Sequence, residues 1–150
     1  METQQFVELS PNDIEPCARL YVATFNAPPW NENWNIKGAL ERIQFLMGIP
    51  TSLGFKLIQN QEIVGFWIGY IRVGFDELHI EEVVVHPNHQ KKGLGKKLVS
   101  SVEETASKKA LKKITLCTLV DSYIEKFYGG LGFTKAIITF MEKPSRGSKS

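Results

Sequence analysis

The sequence predicts an α/β (α+β) domain in which helices cover a central mixed, mostly antiparallel sheet. Short runs rich in β-branched and aromatic residues, bounded by turn residues, alternate with longer segments whose apolar residues recur every three or four positions. Together they give the order βαα-βββ-α-β-α-β, with about six or seven strands and about four helices. The 150 residues suffice for one domain with a buried core. This domain is expected at residues 1–143, followed by a disordered polar tail at 144–150.

The first third of the chain predicts one strand and two helices. A strand at 6–9 precedes the helix-start signal Ser10-Pro11-Asn12-Asp13, after which apolar residues recur at helical spacing. Paired prolines exclude regular structure at 26–34. A second helix is expected at 36–47, since Gly48-Ile49-Pro50 follows it.

The remainder of the chain predicts further strands and two helices. A polar turn separates the first two of these strands, which form a hairpin. One helix follows Gly93, and another is expected at 122–131 with Gly132 as its terminator. The strands are expected at 53–59, 63–73, 78–85, 113–119 and 133–142.

Composition narrows the class of protein. Hydrophobic residues make up 43% of the chain and aromatic residues 11%, as in globular proteins. No apolar run approaches the ~20 residues that cross a bilayer, and the first residues lack a basic-then-apolar signal pattern, so no membrane association is expected. Cys17 and Cys117 lie in apolar segments and are expected to stay reduced, which favours a cytoplasmic setting and no metal site.

The charge of the chain is unevenly distributed. Between His86 and Lys113 there are eight lysines against two glutamates, a net charge of +6. Since the whole chain carries +2, the remainder carries −4. A basic sector suits a polyanionic ligand and an acidic remainder suits a cationic one. The last four of these lysines can equally form a solvated face.

The clearest functional signal is a glycine-containing turn between a strand and a helix. The strand Val83-Val84-Val85 leads into Gln90-Lys91-Lys92-Gly93-Leu94-Gly95, and an amphipathic helix follows. Small residues let an anion approach the backbone, while N–H groups and the positive helix end attract it. Lys91, Lys92 and Lys96 flank the turn. The sequence therefore predicts a ligand that carries phosphate.

Two common phosphate-binding motifs do not match this turn. A dinucleotide fold needs a third glycine where Leu98 stands and an acidic residue near the position of Lys113. A nucleotide P-loop needs Ser or Thr where Lys97 stands. Both readings are excluded.

Two segments resemble motifs of one family. Gln90-Lys91-Lys92-Gly93-Leu94-Gly95 resembles the acetyl-coenzyme A motif Gln/Arg-x-x-Gly-x-Gly/Ala of the GNAT superfamily of N-acetyltransferases. Phe127-Tyr128-Gly129-Gly130-Leu131-Gly132-Phe133 is similar to its C-terminal Phe-Tyr-x-x-x-Gly-Phe segment. The two motifs occur in the family's order. The resemblance implies a single-domain GNAT-like fold, acetyl-coenzyme A as cosubstrate and no metal.

The resemblance also implies which residues bind the cosubstrate. Amides of the turn would hold the pyrophosphate, and backbone groups of Val83 and Val85 would pair with the pantetheine arm like an added strand. Many members carry Asn where this chain has Asp121, whose negative charge suits phosphate less well. The expected cofactor-binding residues are Val83, Val84, Val85, Gln90, Lys91, Lys92, Gly93, Leu94, Gly95, Lys96, Asp121 and Tyr128.

Catalysis is assigned through the same resemblance. Tyr128 matches the family tyrosine whose hydroxyl faces the coenzyme A sulfur, which makes it the expected general acid. The family places its catalytic base at positions that correspond to 79 or 81. Glu81, acting through water, is the better base candidate and His79 is its helper or alternative. Strand alternation predicts that residues 79, 81, 83 and 85 share one face and that residues 80, 82 and 84 share the other, with Glu82 directed towards a lysine.

The resemblance also implies that the acceptor lies beside the segment between the first two helices. Phe25, Trp30 and Trp34 provide aromatic faces and Glu32 a carboxylate, a combination that cationic amines prefer; Glu81 would contribute as well. The resemblance implies transfer of an acetyl group to a primary amine of a small, cationic acceptor such as an aminosugar, polyamine or amino acid, by direct attack in a ternary complex.

Three other functions are compatible with parts of this sequence. One alternative is an acyl-coenzyme A binding or regulatory module without turnover, and another is an acetyltransferase of protein or peptide amines. A nucleic-acid binding protein ranks low, because the lysines are not interleaved with aromatic residues. A homodimer formed through a C-terminal edge strand is also compatible with the sequence.

Overall fold

The computed structural model describes residues 3–147 of the chain. These residues belong to two compact units, Met1–Cys117 and Thr118–Ser150, which are described separately below.

The first unit contains a five-stranded mixed sheet. The strands lie in the order β1-β2-β3-β4-β5, antiparallel from β1 to β4 and parallel between β4 and β5. The fold class and the mostly antiparallel sheet are therefore confirmed, with five strands among the described residues instead of the six or seven expected. The strands are β1 Gln4–Glu8, β2 Ser52–Gln59, β3 Glu62–Arg72, β4 Glu77–Val85 and β5 Lys113–Leu116.

Three helices of the first unit begin where the local sequence indicates. A short 3-10 turn at Pro11–Asp13 precedes α1 (Ile14–Phe25), and the Ser10 N–H donates to Asp13 Oδ2 at 2.9 Å. The Asn35 side chain accepts from the Gly38 N–H at 2.7 Å and caps α2 (Ile36–Met47). The third helix, α3 (Leu94–Lys108), follows Gly93, whose φ of 81° is left-handed. The predicted helices are confirmed at these places.

The helices bury both faces of the sheet. On one face α1 and α2 pack over β3 and β4, with Tyr21, Ile43, Phe66 and Val84 in the apolar cluster. On the other face α3 packs in a second cluster. The buried members of this second cluster are Leu57, Val64, Trp67, Leu78, Ile80, Leu94, Leu98, Val102 and Ala106.

A β-bulge in β4 changes which side chains share a face. In the β3–β4 register, Ile68 pairs with Glu82 and Gly69 pairs with Ile80, so Glu81 is left without a partner. Ile80 packs on the α3 side, whereas Val84 packs on the side of α1 and α2. The expectation that residues 80, 82 and 84 share one face is therefore wrong. Regular alternation does not continue through an extra residue.

The second unit contains one α-helix in its described part, α4 (Tyr123–Gly130). Ser122 caps it by accepting from the Glu125 N–H at 3.1 Å. Gly132, with a φ of 98°, follows its end, and the Phe133 N–H donates to the Tyr128 carbonyl at 3.1 Å. The helix and its terminator are confirmed.

Two strand predictions near the C-terminus differ from the structure. β5 ends at Leu116 rather than at 119, and residues 133–142 form no strand. A strand needs a neighbour for its hydrogen bonds, and the second unit offers no other strand among its described residues. Part of the predicted tail, 148–150, lies outside the described residues, so the domain limits and the disordered tail remain predictions.

Two further features concern membrane spanning and the cysteines. Within residues 3–147, no helix combines the length and apolarity needed to cross a bilayer. Cys17 is buried and Cys117 exposed, and both are free thiols. The cytoplasmic setting remains a prediction.

Candidate active site

One edge of β4 is open along its second half. The parallel pairing with β5 ends at Ile80 and Leu116, but β4 continues to Val85. In the described part of the chain, residues 81–85 therefore have a neighbouring strand on the β3 side and none on the other. We call this side the open edge of β4.

Backbone groups of alternate residues face the open edge. The His86 N–H donates to the Val64 carbonyl of β3 at 2.9 Å, so the groups of Val83 and Val85 point away from β3. The Val85 carbonyl accepts from Gln90 Nε2 at 3.1 Å and from Thr24 Oγ1 at 3.3 Å. Val84 is fully buried, and its backbone faces β3. An extended ligand that adds to this edge would therefore meet the backbone of Val83 first.

The turn after β4 presents backbone amides to solvent. Lys91 and Gly93 both have left-handed φ angles, 62° and 81°. No side chain caps α3, so the N–H groups at its start have no side-chain acceptor. Lys91, Lys92 and Lys96 are exposed around the turn. Bare amides and lysines at a helix start form an arrangement suited to an anion.

Two carboxylates and a guanidinium meet beside the open edge. Arg42 of α2 lies with its NH2 atom 3.1 Å from Glu81 Oε2 and 3.2 Å from Glu82 Oε2. The Tyr21 hydroxyl donates to Glu82 Oε2 at 3.0 Å. We call Glu81 and Glu82 the carboxylate pair. The prediction that Glu82 points away from Glu81 and towards a lysine is wrong, because the bulge directs both carboxylates to the side of α2.

His79 extends this polar cluster towards β5. Its Nε2 lies 3.6 Å from Glu81 Oε1, and its Nδ1 lies 2.8 Å from Thr115 Oγ1. The Tyr70 ring is tilted against the imidazole at 5.5 Å between centroids. Thr115 thus fixes the orientation of the ring that places Nε2 near Glu81.

Burial tunes the acidity of this cluster. It raises the pKa of the Glu82 carboxyl, although the charge of Arg42 and the Tyr21 hydrogen bond act in the opposite direction. Burial also raises the pKa of the Tyr21 phenol, and the neighbouring Glu82 charge adds to this effect. Glu82 therefore binds a proton more readily than a solvated glutamate does, and its protonation would change the charge beside Glu81.

The predicted acceptor residues form one connected set through Tyr21. The Tyr21 ring lies 4.6 Å from Phe25 and 4.9 Å from Trp34, and Phe25 lies 5.3 Å from Trp30. Trp34 Nε1 donates to Glu32 Oε1 at 2.7 Å. We call the rings of Tyr21, Phe25, Trp30 and Trp34 the aromatic wall. It extends from the loop at 26–34 to the carboxylate pair, because the Tyr21 hydroxyl donates to Glu82.

The remaining predicted site residues belong to the second unit. The Tyr128 ring packs against Phe127 and Phe133, with centroids 5.1 and 5.4 Å away. Asp121 has a left-handed φ of 58°, and its N–H donates to the Glu125 carboxylate. Lys135 forms an ion pair with the same carboxylate at 3.1 Å.

Sequence reasoning missed four residues of this site. Tyr21 reads as a core residue at helical spacing, and Arg42 and Thr115 lie in elements far apart in sequence from β4. Glu82 was given the wrong face because its direction depends on the bulge. The adjacent acids Glu81 and Glu82 in an otherwise apolar strand were the one available signal.

The chain is similar to known acetyltransferases. The sequence profile described as the Acetyltransferase (GNAT) family matches residues 19–133. An aminoglycoside N-acetyltransferase in complex with CoA superposes with a TM-score of 0.75 at 16% identity, covering 96% of each chain. A possible acetyltransferase from Clostridium difficile gives a TM-score of 0.80 at 11% identity, covering 95% of this chain and 97% of that one.

A third solved structure with this fold is that of an enzyme named for a protein substrate. The ribosomal-protein-S18-alanine N-acetyltransferase of Escherichia coli gives a TM-score of 0.72 at 21% identity, covering 89% of this chain and 79% of that one. No curated protein matches the chain. At these identities the solved structures establish the fold, and the profile match over more than half of the sequence establishes the family. The chain therefore belongs to the acetyltransferase (GNAT) family.

Proposed function

We propose that this protein transfers the acetyl group of acetyl-coenzyme A to a primary amine of a small, cationic acceptor. The observation that carries the proposal is the carboxylate pair, which lies on the part of β4 that has an open edge and is hydrogen-bonded to Tyr21 of the aromatic wall. Carboxylates beside aromatic faces bind and deprotonate ammonium groups. Two of the solved structures with this fold are aminoglycoside N-acetyltransferases in complex with CoA or a CoA-containing bisubstrate analogue, which supports the same substrate class.

Acetyl-coenzyme A is the cosubstrate of this family member. We assign its pyrophosphate to the amides of the turn at 90–96 and its pantetheine arm to the open edge of β4. The backbone of Val83 is suited to pair with the arm in the manner of a strand. The Gln90 side chain, which bonds the Val85 carbonyl at 3.1 Å, would then order the start of the turn.

The reaction removes two protons from the acceptor nitrogen and supplies one to the sulfur of coenzyme A. The ammonium of the acceptor loses a proton to Glu81, directly or through water. The alternative base is His79, whose Nε2 lies 3.6 Å from Glu81 Oε1. The neutral nitrogen attacks the thioester carbonyl, a C–N bond forms and the C–S bond breaks. Tyr128 gives its proton to the departing thiolate, the attacking nitrogen loses its second proton to water, and the Tyr128 phenolate takes a proton back from water. The products are the acetylated amine, coenzyme A and the one proton that Glu81 releases to solvent.

A panel of amines tests the proposed function. Purified protein is mixed with acetyl-coenzyme A and, in turn, with aminosugars, polyamines, amino acids and a peptide with a free N-terminal amine, and release of thiol is measured. We expect thiol release that requires a cationic small amine and matches the acetylated product one to one. Binding of acetyl-coenzyme A without amine-dependent release would contradict turnover. Release with the peptide alone would favour a protein acceptor, as in the ribosomal-protein enzyme of the same fold.

Replacing Gly93 by Ala tests the anion-binding turn. A Cβ at Gly93 meets no atom within 4 Å, but its φ of 81° strains any L side chain, at about 1 kcal/mol. We expect the turn to shift and the Kd for coenzyme A to rise by about tenfold, as measured by calorimetry. Gly74→Ala is the matched control, because Gly74 also has a left-handed φ, 91°, and a Cβ there also meets no atom within 4 Å. It should lose similar stability and keep its affinity for coenzyme A. Equal affinities in the two variants would contradict the assignment of the turn.

A further inference from the structure

The carboxylate pair depends on a residue from another element. Two consecutive residues of a regular strand point to opposite faces, and the bulge turns Glu81 and Glu82 to the same one. Arg42 supplies the opposite charge between these two like charges from α2.

The Arg42 guanidinium contacts both carboxylates at the same time. Its NH2 atom lies between the two carboxylates, and its Nε donates to Glu82 Oε2 at 3.2 Å. The side chains are 31% exposed for Arg42, 27% for Glu81 and 12% for Glu82, so water screens these charges only partly. A planar guanidinium can hold two carboxylates in fixed directions, whereas an ammonium is a single point charge.

The packing of α2 does not depend on Arg42. Ala39, Ile43 and Leu46 form the buried stripe of this helix at helical spacing. These apolar side chains hold α2 on the sheet, and Arg42 lies at the border of the stripe. Its charge is therefore available for the carboxylate pair rather than required for folding.

We infer that Arg42 is a positioning residue that gathers Glu81 and Glu82 at the acceptor site and sets the charge of that site to one net negative. The inference rests on the proposed function, because it names the device that prepares the carboxylates for a cationic amine. Without Arg42, two adjacent carboxylates face the acceptor with no guanidinium between them.

The groups around the pair set the expected pH response. The pair faces Tyr21 from α1, Arg42 from α2 and His79 from β4, and Glu32 acts on Tyr21 from the loop at 26–34. Arg42 is the group that lowers the pKa of Glu82 most, against the burial that raises it. Its removal should therefore raise the pKa of Glu82 further.

The experiment compares Arg42→Gln with Lys37→Gln. Lys37 lies exposed on the same helix, so its variant loses an equal charge away from the pair. The titration of the Glu82 carboxyl is followed by NMR on protein labelled at the glutamate carboxyl carbon, with Glu82→Gln for assignment. We expect the titration midpoint to rise in Arg42→Gln and to stay unchanged in Lys37→Gln. This measurement needs no acceptor, so it is independent of whether the proposed function is correct.

Kinetics supply the second readout. In Arg42→Gln, the acidic limb of kcat/KM should move to higher pH, and KM for a diamine should fall about fivefold relative to a monoamine. An unchanged Glu82 titration in folded Arg42→Gln would overturn the inference. If that variant does not fold, Arg42→Met, which keeps the apolar stem, is measured in the same way. Failure of both variants to fold would also overturn it, because Arg42 would then be part of the structural framework.

Discussion

Replacing Tyr128 by Phe is expected to lower kcat by roughly 100-fold, in the range of general acid catalysis. The proposed reaction ends with protonation of the coenzyme A thiolate, and a phenyl ring has no proton to give. The ring itself would be kept, with its packing against Phe127 and Phe133 at 5.1 and 5.4 Å. The affinity for acetyl-coenzyme A should therefore change less than about twofold.

The control for this variant lies on the same helix. Tyr123 is also in α4 and is 55% exposed, so Tyr123→Phe removes a hydroxyl from the same element without touching the proposed acid. We expect its kcat to equal that of the wild type. The measurements are steady-state rates with the best amine of the panel and calorimetric titration with acetyl-coenzyme A. Full activity in Tyr128→Phe would exclude Tyr128 as the acid.

Replacing Gly69 by Ala is expected to destabilise the protein by roughly 3 kcal/mol. A Cβ at Gly69 would lie 2.4 Å from the His79 carbonyl oxygen and 3.1 Å from Ile80 Cδ1. Backbone occupies this space, so β3 and β4 must separate beside the bulge. Since His79 and Glu81 flank that point, the folded fraction should lose amine acetylation as well.

Gly129→Ala is the control for the cost of a methyl group. Gly129 is in α4, and a Cβ there meets no atom within 4 Å. Alanine favours a helix over glycine by about 1 kcal/mol, so this variant should be as stable as the wild type or more so. Urea unfolding of both variants checks the prediction. If Gly69→Ala unfolds at the same urea concentration as the wild type, the prediction is wrong, because β3 and β4 would then separate at the bulge without loss of stability.

Local sequence signals located most of the elements of this fold. The helix expected at 36–47 is found at Ile36–Met47, because its apolar spacing and the following Gly48-Ile49-Pro50 act within a few residues. The motif Gln90-Lys91-Lys92-Gly93-Leu94-Gly95 indicated the family, since a turn with bare amides depends on its own glycines. Membership in the acetyltransferase (GNAT) family is established by the profile match over residues 19–133.

The site required information that no single segment contains. The bulge at Glu81 arises where β3 and β4 pair. Gly69 of β3 has no side chain, which leaves space for the β4 backbone beside the bulge. Strand alternation alone therefore assigned Glu82 to the wrong face. The predicted strand at 133–142 had the composition of a strand but no neighbour in its own unit, and β-structure requires that neighbour.

The sequence by itself determined the class of fold, the order of most elements and the glycine-containing turn after β4, because periodicity, caps and glycines act over short distances. Only the tertiary structure decided which side chains surround the carboxylate pair. Arg42, Tyr21 and Thr115 reach the carboxylate pair and His79 from three different elements. Their distances, burial and charges exist only when those elements are packed together.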